Sequence, residues 1–217
     1  MMGRSSREQA GENRDRIVQI ATGLFAANGV GAVGIADIMK AAGMTQGGFY
    51  KHFASKDALA AEACAFAFSG AVRQWRRVAE AAQDSGRDVA GAITSYYLDP
   101  KPPEMTCPMI SYAPDAASGP GDRPLNTAYS AGVRTLFETF VELSASGSSD
   151  VTEDHARMQF AAMVGSNMLT RPSHGTGWLT KFKQSMKTNL NPGERSRAPR
   201  KAAPAGHRVR EKPPGRS

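Results

Sequence analysis

The chain has 217 residues, 41% of them apolar, and a net charge of +7, a composition typical of a folded globular protein rather than a disordered one. It has no apolar run long enough for a membrane span and no apolar signal segment behind its polar N-terminus, so we expect a cytoplasmic protein. Its two cysteines are far apart and its four histidines lack metal-ligand spacing, so we expect no disulfide framework, metal site or cofactor.

Three short helices are predicted at the N-terminal end. Residues 1–11 are expected to form a flexible arm, and apolar residues at helical spacing then run from Asn13 to Asn28. A turn containing Gly43 separates two shorter helices, predicted at about 35–42 and 46–52.

The rest of the chain predicts further helices joined by Pro-, Gly- and Ser-rich segments. Ser55 can cap a long helix that ends near Asp84, and the four prolines of segment 99–108 require a loop there. Further helices are predicted at about 87–98, 151–171 and 177–190. Another is marked by apolar residues between positions 129 and 140 and ends near Ser144. We found no strand-period segment. The predicted fold is therefore all-α, with an N-terminal three-helix helix-turn-helix domain and a larger helical domain.

Charge and composition divide the chain into three parts. Residues 1–56, 57–190 and 191–217 carry net charges of +3, −2 and +6. The last part has five prolines and one large apolar residue, so we expect it to be a disordered tail. Its cations either add non-specific phosphate contacts or form an inert solvated extension, and the sequence leaves both open.

The run AAGMTQGGFYKHFASKDAL, which begins at Ala41, has the pattern of a helix-turn-helix. Gly43 suits the left-handed turn, and the second helix would expose one polar face. A helix fits the major groove of DNA, and its first turn reaches base edges. Gln46 suits adenine, and Gly47 and Gly48 permit close backbone approach. Phosphate contacts are expected from Tyr50, Lys51, His52 and Lys56.

This run closely resembles the signature of the TetR family of repressors, and the resemblance covers about residues 13–62. It implies that Gln46 and Gly47 read bases and that Lys51 does so or contacts phosphate. It also implies phosphate contacts from Thr45, Tyr50, His52 and Lys56. Positions 34 and 48 depart from the family, because both are Gly where Ser or Thr is usual. The adjacent glycines predict a helix that frays when free and orders on DNA.

The resemblance further implies a homodimer that binds a palindromic operator in double-stranded DNA and a pocket for a small-molecule effector. The pocket is expected between the helix at 57–84 and the helices around 87–140, although each candidate residue also suits a core position. Its candidate lining residues are Phe66, Trp75, Tyr97, Met109, Tyr112 and Phe137, with Phe68, Tyr96, Met105 and Met163 as further candidates.

The helices at 151–171 and 177–190 are the expected dimer interface, where Gly165 and Ser166 would allow close approach of helices. The alternative is that the apolar side chains of this region are core residues. The residues concerned are Phe160, Met163 and Met168.

Two other functional classes were weighed. An enzyme is not predicted, because no GxSxG, HExxH or phosphate-loop motif occurs. A ligand-independent architectural DNA-binding protein that uses the basic tail stays open. Cys64 is expected to be packed, and Cys107 is either a redox switch beside the pocket or an inert thiol.

Overall fold

The computed structural model describes residues 2–145, 152–170 and 177–190, with side chains from residue 7 onward. The described residues form α-helices and short 3₁₀ helices, without strands, which confirms the predicted all-α class. Residues 146–151 and 171–176 and the basic tail at 191–217 lie outside the described residues. The α-helices are α1 Met2–Asn28, α2 Ile35–Ala41, α3 Lys56–Asp84, α4 Val89–Leu98, α5 Pro108–Ser111, α6 Ala113–Ala117, α7 Pro124–Ala145, α8 Glu153–Thr170 and α9 Gly177–Asn189.

Helix α1 begins at Met2, so residues that were expected to form a flexible arm are helical. Residues 7–16 are polar apart from Ala10 and Gly11, and the apolar stripe that revealed the helix starts only at Ile17. Side-chain contacts at helical spacing support the polar part, because the Gln9 amide donates to Glu12 and to Asn13. Such a segment carries no apolar periodicity, and the sequence pattern therefore missed it.

The N-terminal helices share a small apolar core. Ile17 and Phe25 of α1 are fully buried with Ile38 of α2, and Phe49 joins them from a 3₁₀ helix at Gln46–Lys51. Helix α1 also packs along the first half of α3. The small core thereby fixes the orientation of the Gln46–Lys51 helix.

Helix α3 begins where the sequence predicted and continues into the larger helical body. The Ser55 hydroxyl accepts a hydrogen bond from the Ala58 N–H at 3.0 Å, which confirms the predicted cap. Because α3 is one uninterrupted helix to Asp84, it joins the N-terminal unit rigidly to the body.

The body is built on the packing of α3 against α7. A Cβ placed on Gly132 of α7 would lie 2.2 Å from a ring carbon of Phe68 on α3, so only glycine permits this approach. Phe68 was a further candidate for the ligand pocket, but its ring fills this helix contact. Trp75 of α3 continues the core through edge contacts with Phe140 and Phe160.

Segment 109–122, which the sequence left undefined, contains most of α5 and all of α6. Both helices are a single turn long and have proline in the first turn, so they carry no measurable apolar period. The preceding loop at 99–108 contains a 3₁₀ turn at Pro103–Met105. In the described part of the chain, no helix has the length and apolar character needed to span a bilayer.

Candidate nucleic-acid interface and ligand cavity

The turn between α2 and the Gln46–Lys51 helix has the predicted geometry. Gly43 has a φ of 72°, in the left-handed region that favours glycine. Gly34 caps α2 in an extended conformation, and the Asp37 carboxylate accepts from the Gly34 N–H at 3.0 Å. Asp37 therefore satisfies the Gly34 backbone N–H, although Gly34 itself supplies no hydroxyl.

The helix at Gln46–Lys51 is a 3₁₀ helix, not the α-helix expected over 46–52. The N–H groups of Gly48 and His52 each donate to the third carbonyl before them, at 3.0 and 2.9 Å. Two adjacent glycines with low helix propensity account for this departure.

One face of the Gln46–Lys51 helix is held in the core and the other is open to solvent. Phe49 is fully buried against Phe53, whereas Tyr50 is 70% exposed. The side chains that were predicted to contact DNA lie together around this open face. Thr45, Gln46, Gly47 and Lys51 are exposed, and Gly48, His52 and Lys56 are half-buried.

Packing inside the chain does not require glycine at position 47 or 48. A Cβ at Gly47 would meet no atom within 4 Å, and one at Gly48 would make ordinary contact with the Met39 methyl at 3.6 Å. Thr45 occupies the N-cap position, but its side chain makes no capping hydrogen bond. The Thr45 hydroxyl therefore takes no part in beginning the helix.

A contact that the sequence did not reveal joins the body to the turn before α2. The Asp115 carboxylate of α6 accepts hydrogen bonds from the N–H groups of Val30 and Gly31, both at 2.9 Å. A second contact lies nearby, where the Arg123 guanidinium pairs with Asp57 in the first turn of α3. We call these two contacts the Asp115 clamp and the Arg123–Asp57 pair.

A cavity of about 990 Å³ lies between α3, α4, the 99–108 loop, α8 and α9, and it also reaches α1 and α7. Of the six predicted lining residues, Phe66, Trp75 and Tyr97 border it. The further candidates Tyr96 and Met105 also border it.

Three predicted residues lie outside this cavity. Tyr112 is fully buried edge-on against Phe25 of α1, with ring centroids 6.5 Å apart. Met109 is buried in α5, and Phe137 packs on Phe160 of α8 at 5.4 Å. Met109 and Tyr112 are core side chains, which the sequence pattern could not separate from pocket side chains, and Phe137 is half-buried. The further candidate Met163 is also fully buried and does not border the cavity.

Other cavity residues come from elements that the sequence did not connect with a pocket. They include Thr22 of α1, Asn167 of α8 and Leu179 of α9. Cys107 borders the cavity, whereas Cys64 is buried and burial raises the pKa of its thiol to about 12. The packed position predicted for Cys64 is confirmed. Within the described ranges, no three His, Cys, Asp or Glu side chains are grouped to hold a metal ion.

Comparison with known proteins matches residues 17–63 to the model of "Bacterial regulatory proteins, tetR family". Residues 17–63 therefore have the sequence of a TetR-family helix-turn-helix. The HTH-type transcriptional regulator AcrR of Shigella flexneri is 39% identical over 61 residues, 28% of this chain and 28% of AcrR. The uncharacterized HTH-type transcriptional regulator YerO of Bacillus subtilis (strain 168) is 33% identical over 69 residues, 32% of this chain and 24% of YerO.

The likeness to a solved TetR-family structure extends over most of the chain. A TetR transcriptional regulator from Chloroflexus aurantiacus J-10-FL aligns with a TM-score of 0.68 at 27% identity, covering 84% of this chain and 96% of that one. The matched segments span only about a quarter of AcrR and YerO, so their likeness concerns the helix-turn-helix.

Proposed function

We propose that this TetR-family chain is a sequence-specific DNA-binding transcriptional regulator, and that it represses from a palindromic operator until a small molecule releases it. The observation that carries the proposal is the open face of the Gln46–Lys51 helix. Phe49 anchors that helix in the core while Gln46, Tyr50 and Lys51 face solvent. A helix that packs on the core by one side and exposes polar residues in its first turn is what base recognition in the major groove requires.

The roles that we assign follow the chemistry of each side chain. Gln46 contacts a base edge, and Gly47 and Gly48 allow the backbone to approach the DNA. Phosphate oxygens accept hydrogen bonds from Thr45, Tyr50, Lys51, His52 and Lys56. Lys56 also reaches the Gly31 carbonyl at 3.5 Å, so its ammonium group stays near the turn before α2.

Dimerisation is supported by an apolar stripe on α8. Its residues follow helical spacing along the outer face, and three of them are large apolar side chains exposed by 60–73%. The stripe consists of Met158, Ala161, Gly165, Met168 and Leu169, and Trp178 of α9 is 59% exposed. We propose that a second copy of the chain covers this stripe, because a palindrome requires two reading helices.

The dimer residues proposed here differ in part from those first expected. Ser166 is buried within the subunit and its hydroxyl donates to the Ala162 carbonyl, so it cannot lie between two copies. Phe160 and Met163 also pack inside the body. The core alternative therefore holds for those two residues, whereas Met168 lies on the outer face.

Ligand release requires a connection from the cavity to the helix-turn-helix, and the Asp115 clamp supports one. Cys107 and Pro108 border the cavity at the start of α5, and α6 follows directly with Asp115. A ligand that displaces the start of α5 would move Asp115 and hence the turn at 29–31 that leads into α2. We propose that effector binding shifts the population of reading-helix positions by this route.

The test is selection of duplexes from a random pool by the purified full-length chain. We expect the recovered sequences to share an inverted repeat whose half-sites lie about 34–36 Å apart, or a multiple of that spacing. Equal retention of all duplexes would instead support an architectural protein, and retention of none would overturn a DNA-binding function. The relatives named above are transcriptional regulators, and we propose no enzymatic activity.

A further inference from the structure

The inner wall of the cavity is apolar and aromatic. Trp75 and Tyr97 meet edge to face with their centroids 6.1 Å apart. Phe66 and Leu136 also border the space, and Met105 lies at its outer part. This part of the wall suits an apolar body, and polar side chains such as Gln74, Asn167 and Gln184 border other parts of the cavity.

Lys101 brings a cation to this cavity from the 99–108 loop. Its ammonium group donates to the Tyr96 carbonyl at 2.6 Å and lies 3.8 Å from the centre of the Tyr96 ring. These contacts hold the half-buried side chain in place. Burial is the main cause that lowers the pKa of Lys101, and among the described residues it forms no ion pair with a carboxylate.

Lys183 brings a second cation from α9. It is half-buried, borders the cavity and likewise forms no ion pair within the described ranges. The next lysine along this face, Lys187, differs because it is paired with Asp99. Of the two carboxylates that border the cavity, Asp99 pairs with Lys187 and also attracts Lys101 electrostatically, and Glu104 is exposed to solvent.

The arrangement therefore combines an apolar and aromatic wall with two half-buried lysines that form no ion pair among the described residues. We propose that the effector is an amphiphilic anion, an apolar body with one anionic group such as a carboxylate, and that Lys101 and Lys183 bind this group. This inference rests on the cavity being the effector site, as proposed above. A neutral or cationic effector would leave the two ammonium groups buried deeper without a counter-charge.

Three ligands with the same ten-carbon chain test the proposal on the DNA-free full-length protein. They are decanoate, 1-decanol and decyltrimethylammonium, and their affinities are measured by titration calorimetry. We expect decanoate to bind at least about tenfold more tightly than decanol, since hydrogen bonds to charged groups are the stronger ones. Equal affinities, tighter binding of the ammonium compound, or binding of none of the three would overturn the proposal.

Substitution of the two lysines tests whether they cause the preference for decanoate over decanol. Lys101→Met and Lys183→Met keep the apolar stem and should each weaken decanoate by about tenfold, with decanol little changed. Lys181→Met on the exposed side of α9, outside the cavity, is the matched control and should change neither affinity. If the decanoate preference survives in the Lys101→Met, Lys183→Met double variant, the assignment is wrong. Because no DNA is present, this result is independent of whether the chain binds an operator.

Discussion

Gly47 and Gly48 lie on the Gln46–Lys51 helix, whose open face we propose as the DNA-binding surface. The structure adds that neither glycine is needed for packing, because a Cβ would fit at both. We infer that glycine at these positions serves the approach of the DNA that we propose as the partner.

Gly47→Ala separates folding from DNA binding. We expect the free protein to gain up to about 1 kcal/mol in unfolding free energy, because alanine favours helix over glycine. We expect operator affinity to fall at the same time, since the methyl group would stand between backbone and DNA. Urea unfolding and fluorescence anisotropy measure the two effects. Gly23→Ala in α1, where a Cβ has ordinary contact at 3.9 Å, should leave operator affinity unchanged.

Asp115 is a residue whose role no local pattern could indicate, since its partners lie 84 and 85 residues earlier in the chain. Asp115→Asn keeps the shape but removes the charge, and its amide can accept only one of the two N–H groups well. We expect a loss of about 1–2 kcal/mol in unfolding free energy and weaker coupling between effector and operator.

The coupling is measured as the change in operator affinity at saturating effector. Asp122→Asn, an exposed neighbour in the α6–α7 connection, is the control. An Asp115→Asn protein whose operator affinity responds to effector as strongly as the wild type would refute the proposed route through the clamp.

At the scale of elements, apolar periodicity was sufficient for the long helices. Helices α3, α7, α8 and α9 lie close to their predicted positions. A buried apolar face explains this for α3 and α7, whereas the buried face of α8 includes Gln159, Ser166 and Thr170. The start of α1 was missed because it buries none, and the short α5 and α6 because a single turn has no period. The Gln46–Lys51 helix was placed correctly, but its 3₁₀ form follows from hydrogen bonding that spacing does not specify.

Gly132→Ala tests the contact on which the helical body depends. The added methyl group would collide with the Phe68 ring, so α3 and α7 must move apart. Overpacking of this kind typically costs about 1–3 kcal/mol in unfolding free energy. Thermal and urea unfolding measure it, and Gly11→Ala in α1, which meets no atom within 4 Å, should be neutral or stabilising. Equal unfolding free energies of the two variants would show that the close contact between α3 and α7 at Gly132 does not determine the stability of the protein.

At the scale of the whole molecule, the sequence indicated the helices that we propose for the dimer but not which of their faces is open. Periodicity shows that Phe160, Met163 and Met168 are apolar, and only the packed structure shows that Met168 alone among them points outward. The same limit applied to the pocket, where Trp75 borders a cavity and Tyr112 fills a core.

Charges placed on the α8 stripe test the dimer. Met168→Glu and Leu169→Glu should yield monomers and weaken operator binding, because a buried unpaired carboxylate strongly opposes association. Sedimentation measures the oligomeric state. Ser130→Glu, an exposed position on α7, should leave the state and the affinity unchanged. Dimers that persist in both stripe variants would place the interface elsewhere.

The most direct measurement is operator affinity for every single-base variant of the selected repeat, determined for wild type, Gln46→Ala and Lys56→Ala. We expect Gln46→Ala to lose about 1–3 kcal/mol of discrimination at one base pair of each half-site. Lys56→Ala should weaken all variants alike and reduce the salt dependence. If the two substitutions alter the profile in the same way, or neither alters it, then the exposed face of the Gln46–Lys51 helix is not the surface that reads DNA.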